Sequence, residues 1–320
     1  MPASPLDELG LIGQSYAILA AVAVPVAITI RRCVPASRRA FRLAALPDLE
    51  AIVIIALALL LPPLVLSSLD VLKLFAYLPV DTPEVRSALA GLLSLLLWLA
   101  WVTLLLARSG RRPLLFLQTR SLREISLGIF AFLIITPITF AVHLLVTALV
   151  LAFGGTVDRH PLQDFSTATP FSIACFIVTA CVVAPIMEEA IFRGILLPWA
   201  QRRRFRPWLI FALAVVMLIA GKGLSHIGTL FFLADLTVVM ACCAGGRQVW
   251  RKWPPRTASA VFSTAALFGA MHAAVWPTPV PLTVMGIGLG ILTVRCGNLR
   301  PAIVVHALFN GVTVLALLRS

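Results

Sequence analysis

Charge is scarce in this sequence. Only 12% of the 320 residues are Asp, Glu, Lys or Arg, against 60% hydrophobic. Soluble domains carry about a quarter charged and about half apolar residues, so a water-soluble globule is excluded. Acidic side chains are the rarest, 13 against 26 basic ones. Several chemistries lack their signatures. There is no C-x-x-C pair among the six cysteines, Cys33, Cys175, Cys181, Cys242, Cys243 and Cys296, which removes a zinc ribbon and a disulfide framework. There is no H-E-x-x-H and no G-x-S-G, and Asp235 stands outside any G-x-G-D setting. The N-terminus, MPASPLDELG, lacks the basic n-region of a signal peptide, so the first apolar span is expected to be retained.

What is present is a series of apolar runs of bilayer-crossing length. The pattern predicts an all-α, polytopic transmembrane helix bundle of about 8–10 spans. The segments fall near 11–30, 49–69, 87–107, 125–153, 171–195, 207–221, 227–244, 258–276, 280–295 and 301–318. Helices are required because lipid offers no partner to unpaired backbone groups. The net charge of +13 sits in short loops: Arg31–Arg42, Arg108–Arg123, Arg202–Arg206, Arg247–Arg256 and Arg295–Arg300. The intervening loops, Asp70–Arg86, Asp158–Asp164, Gly221–His226 and Trp276–Val280, are acidic or nearly neutral. This alternation reads as topogenic charge, with all basic loops cytoplasmic, and not as a nucleic-acid surface. The chain divides into an N-terminal extension, 1–150, of about four spans, and a second region, 151–320, that holds nearly all intramembrane ionisable groups. His160 and His226 read as loop residues.

Ionisable groups inside a bilayer cost about 2.5–3.5 kcal/mol each on insertion scales, and a span that keeps them marks a functional site by default. Three stretches do so. In Glu188-Glu189-Ala-Ile-Phe-Arg193, Glu189 and Arg193 share a helical face and can neutralise each other. Glu188, rotated by about 100°, is left free to act as a base. Pro185 weakens the helix just before. In Phe268-Gly-Ala-Met-His272, Phe and His share one face of an apolar helix, and Gly269, Ala270, Ala273 and Ala274 permit close helix approach. In His306-Ala-Leu-Phe-Asn310, the amide is expected to orient the imidazole or to hold a water or a substrate carbonyl. Such a set suits hydrolysis. Glu188 takes a proton from water, His272 assists that water or carries the proton to the leaving amine, and His306 with Asn310 stabilises the oxyanion. Glu188, His272 and His306 also make a possible zinc set, and spacing alone leaves both versions open.

In this order EEAIFR, FGAMH and HALFN resemble the motifs of the CPBP family, which includes CAAX prenyl proteases and bacteriocin-processing enzymes. The run RCGNLRPAIVVHALFN resembles the approach to the last motif, and the resemblance covers about residues 170–318. It implies an intramembrane endopeptidase, of glutamate or metallo type. Glu188, His272, His306 and Asn310 would be catalytic, with Glu189, Arg193 and Phe268 in support. No cofactor is favoured, with zinc as the alternative. The expected partners are a peptide or membrane-anchored protein substrate, CAAX-like or leader-type, and membrane lipid, with no nucleic acid. The Arg- and Ala-rich composition points to a bacterial inner membrane. A non-catalytic scaffold of the same fold and a proton-coupled transporter are the competing classes. The transporter would call for broken helices in matching halves.

Overall fold

The computed structural model describes residues 53, 61, 64–68, 83–108, 121–152, 156–158, 170–222, 232–234, 236–238, 240–241 and 255–317. The expected span 11–30, most of 49–69 and 227–244, the basic loops 31–42 and 247–254, and Cys33, His160, His226, Asp235, Cys242 and Cys243 lie outside the described residues. Among the described residues the chain is helical with no strand.

The helices are α1 (Pro83–Arg108), α2 (Ser121–Ala152), α3 (Pro170–Val178), α4 (Ala184–Glu189), α5 (Leu197–Gln201), α6 (Arg206–Lys222), α7 (Pro255–Ala270), α8 (Pro279–Cys296) and α9 (Arg300–Leu317). Proline marks many of their starts, at Pro83, Pro170, Pro207, Pro255, Pro279 and Pro301. Its missing N–H costs nothing in a first turn and its φ is already helical. Among the described residues three helices are long and apolar enough to cross a membrane: Leu122–Ala152, Ile173–Gln201 and Pro279–Cys296.

Two expected spans differ from their sequence reading. The span 171–195 runs from Pro170 to Gln201 and is not one regular helix, because π-helical turns at Thr179–Val183 and Ala190–Leu196 interrupt it. A proline follows each of them at the second position of the next α segment, Pro185 and Pro198. A missing N–H there removes a regular i→i−4 bond, and a wider turn absorbs the mismatch. The span 258–276 ends as a helix at Ala270, and 271–278 form tight turns. Pro277, Pro279 and Pro281 cannot donate to a continuing ladder.

The described chain forms two compact units. One comprises described residues of 130–160 and 196–297, the other those of 42–129, 161–195 and 298–320. In the first, α7 packs along both α6 and α8. Small residues allow the approach. A Cβ on Gly290 would come within 2.9 Å of Val261, and one on Gly269 would meet the Thr283 hydroxyl and lie 2.5 Å from Pro279 O. Asp158 and Trp276 clasp reciprocally: Trp276 N–H donates to Asp158 Oδ2 at 2.7 Å, and Asp158 N–H to Trp276 O at 3.1 Å. Both residues lie outside the helices.

In the second unit, α9 packs against the π turn Thr179–Val183 and α4, and α1 packs against α3 and the same turn. Arg300 Nη1 bonds Glu124 Oε2 at 3.0 Å, tying the start of α9 to the start of α2. A Cβ on Gly128 would come within 2.7 Å of Val304, so only glycine lets these two helix starts meet so closely. Large side chains exposed along α2, among them Leu122, Ile129, Leu133 and Leu144, suit a lipid-facing surface.

Candidate active site

Glu189 is the centre of the polar cluster in the second unit. It is fully buried on α4, and Arg193, in the π turn that follows, is as deeply enclosed. Arg193 Nη1 donates to Glu189 Oε1 at 2.9 Å. This is the ion pair that the four-residue spacing predicts. A pair so enclosed is poor evidence of extra stability, but removing one partner leaves a costly lone charge.

His306 approaches from α9. Its Nδ1 lies 2.9 Å from the same Glu189 Oε1, and its Nε2 lies 3.7 Å from Glu188 Oε2. An ionised carboxylate only accepts, so Nδ1 carries the proton. The other ring nitrogen, Nε2, faces Glu188. Spacing separated the two glutamates into a paired one and a free one. The structure adds that a single ring faces both.

Glu188 differs from Glu189 in access. Its side chain is 28% exposed, whereas that of Glu189 is sealed. Glu188 Oε2 itself is enclosed and has no hydrogen-bond partner among the described residues. The 3.7 Å gap to His306 is too long for a direct hydrogen bond, and a water within reach of both atoms would bridge it.

Asn310, one turn beyond His306, makes a contact that spacing did not reveal. Its Nδ2 donates to the backbone carbonyl of Ala180 at 2.7 Å. No sequence signal marks Ala180, whose side chain carries no chemistry. The Arg300–Glu124 tie was missed as well, although a basic loop residue beside a helix that opens with an acid was a visible hint.

Phe268 and His272 belong to the first unit. Phe268 is buried at the end of α7, and His272 is half-buried in the turns that follow. His272 Nδ1 is 2.9 Å from Phe268 O, and the two rings lie 5.3 Å apart. A carbonyl only accepts, so His272 also holds its proton on Nδ1. The pair stays together although the helix has ended. Of the predicted residues, then, Glu188, Glu189, Arg193, His306 and Asn310 gather in one cluster, and Phe268 and His272 form a second pair.

A zinc site needs three protein ligands converging at about 2.0–2.3 Å. Among the described residues no group of three His, Cys, Asp or Glu side chains is disposed to hold a metal ion. Among the described residues, Cys175, Cys181 and Cys296 are in no disulfide.

Comparison with known proteins agrees with the motifs. Residues 170–250 and 243–312 match the family model described as type II CAAX prenyl endopeptidase Rce1-like. Neither the curated proteins nor the solved structures gave a significant match. Glu188, Glu189, Arg193, His272, His306 and Asn310 all fall inside the matched segments. Helices fit to cross a membrane, polar motifs within them and this match together make residues 170–312 similar to the type II CAAX prenyl endopeptidase Rce1-like family.

Proposed function

We propose that the chain is an intramembrane endopeptidase that hydrolyses peptide bonds of membrane-associated, CAAX-like or leader-type substrates with a glutamate-activated water. The observation that carries this reading is the His306 ring facing two carboxylates, Nδ1 on Glu189 and Nε2 at 3.7 Å from Glu188.

Charge balance gives the cluster its chemistry. Glu188 and Glu189 against Arg193 leave one net negative charge. Accepting the proton that water gives up, on Glu188 or on His306 Nε2, makes the cluster neutral, and a low-dielectric site favours that uptake. Glu188 takes a proton from water as the oxygen attacks the scissile carbonyl. A tetrahedral oxyanion forms. The proton moves through His306 Nε2 to the amide nitrogen, the C–N bond breaks, and an acid and an amine leave. Glu189 fixes the ring's tautomer and balances the imidazolium while it exists, as the buried acid of a catalytic triad does.

On this reading His306 is a proton carrier more than an oxyanion donor, since its neutral tautomer presents a lone pair at Nε2. His272, with Nδ1 held by Phe268 O, likewise presents Nε2 as an acceptor and keeps the assisting role that the motif gives it. The mechanism draws only on the protein's own residues. The bacterial inner membrane remains the proposed location.

The test is direct. The protein is purified in detergent and incubated with a quenched prenylated or leader peptide. Glu188→Gln should lower turnover by about 10³-fold or more, near the upper range for a lost general base, with the melting temperature unchanged. Cleavage that survives this substitution sinks the reading. A carrier would move protons or solute in liposomes and leave the peptides intact.

A further inference from the structure

The Asn310–Ala180 bond has a structural cause. Ala180 lies in the π turn Thr179–Val183, where Ala184 N–H reaches back five residues to Thr179 O. One residue further in that register, the Ala180 carbonyl would receive the N–H of residue 185. Residue 185 is proline and has no N–H to offer. An apolar span offers no water in its place, and an unmet carbonyl there is costly. Asn310 supplies the missing donor from another helix, 2.7 Å away.

The turn also sets the bearing of the site. A π turn inserts one residue relative to a regular helix, and each residue turns the helix by about 100°. Glu188 and Glu189 follow directly on α4. If the turn relaxed to regular α geometry, their carboxylates would swing by about that angle relative to α3. Glu189 would leave the direction in which it meets His306 Nδ1. Successive turns of α9 thus carry the ring that Glu189 orients and the amide that keeps Glu189 in place.

We propose that Asn310 is a positioning residue: it acts through the Ala180 carbonyl, holding the π turn that aims Glu188 and Glu189 at His306. Its effect on rate rests on the peptidase reading. Its effect on the turn does not.

Proline supplies the experiment, because Pro185→Ala restores the N–H that Asn310 replaces. Four proteins are compared in detergent: wild type, Asn310→Ala, Pro185→Ala and the double variant. Each is assayed for peptide cleavage and, without substrate, for melting temperature. Asn310→Ala should lower kcat by about 30- to 100-fold, the scale of a catalytic group displaced by an ångström, and should lower the melting temperature. Pro185→Ala alone should leave both near wild type. The double variant should regain at least about tenfold in kcat over Asn310→Ala and most of the lost melting temperature, since the carbonyl is again met. Asn310→Leu, which keeps a similar volume and removes the donor, should behave as Asn310→Ala.

An Asn310 that served only as an oxyanion donor would give no recovery, because an N–H at residue 185 adds nothing at the reacting carbonyl. An active wild type whose Asn310→Ala loss is untouched by Pro185→Ala in both rate and melting temperature overturns the proposal and leaves the peptidase reading standing. An Asn310→Ala variant with full activity and stability overturns it too. A wild type that cleaves nothing, with a melting temperature that still recovers in the double variant, overturns the peptidase reading and keeps the brace.

Discussion

His272 and His306 look alike in sequence. Each belongs to a four-residue pair in an apolar stretch, Phe268 with His272 and His306 with Asn310. Their surroundings are not alike. His306 sits inside α9, buried, with a carboxylate at Nδ1 and a second one 3.7 Å from Nε2. His272 lies past the end of α7, half-buried, with only the neutral carbonyl of Phe268 at Nδ1. The partner residues divide as well: Phe268 keeps its ring beside His272, whereas Asn310 turns away to Ala180. Equal spacing therefore hides unequal chemistry. A ring held by carboxylates can take up a proton without leaving a lone buried charge. A ring held by a carbonyl is fixed in one tautomer and gains no compensating charge at that atom.

The largest effect that tests this contrast lies in the rings themselves. His306→Ala should cut kcat by about 10³- to 10⁴-fold, the upper range for a proton-transfer group, and should lower the melting temperature because Glu189 loses a buried donor. His272→Ala should cut kcat by about 10²-fold, the lower end of that range, with the melting temperature nearly unchanged. Equal losses of melting temperature in the two variants would erase the difference between the two rings.

Arg193→Leu strikes the carboxylate side. It leaves Glu189 enclosed with His306 alone and should cost about 3–5 kcal/mol, as broken buried pairs do. Chemical unfolding in detergent measures it, and a loss below about 1 kcal/mol would mean that Glu189 is not held as a charge.

Gly269→Ala strikes the other ring. The added methyl meets the Thr283 hydroxyl and Pro279 O, which should cost about 1–3 kcal/mol by overpacking. The turn carrying His272 should shift, so activity should fall along with stability. Full activity at reduced stability would separate that turn from the chemistry.

The smallest effect is expected at the start of α9. The side chains of Arg300 and Glu124 are 29% and 16% exposed. Glu124→Gln should cost no more than about 1 kcal/mol, the worth of a partly exposed pair, with turnover nearly unchanged. A large loss of activity would show that the tie sets the depth of His306.

Much of the architecture was legible from the chain. The apolar runs 87–107, 125–153, 207–221, 280–295 and 301–318 agree to within a few residues with α1, α2, α6, α8 and α9, because span length and hydrophobicity are local properties. The Glu189–Arg193 pair was legible for the same reason, both partners lying on one helical face. The broken course of 170–201 was legible only in part. Pro185 announced a weakness, but a proline can kink a helix, end it or widen it, and the choice depends on what packs alongside. The end of α7 at Ala270 was obscured by apolar residues running on to Trp276, although the prolines beyond it were the signal that hydrophobicity outweighed.

The sequence by itself decided that this chain belongs in lipid, which segments are helical, and which few polar residues are too costly to lie in an apolar span without a task. Tertiary structure alone decided the partners: His306 between Glu188 and Glu189, and Asn310 on the Ala180 carbonyl, 117 and 130 residues apart for the two hydrogen-bonded pairs. Periodicity reports which face a side chain occupies. What meets that face depends on how distant helices pack, and one of the groups met here is a backbone carbonyl that no residue type announces.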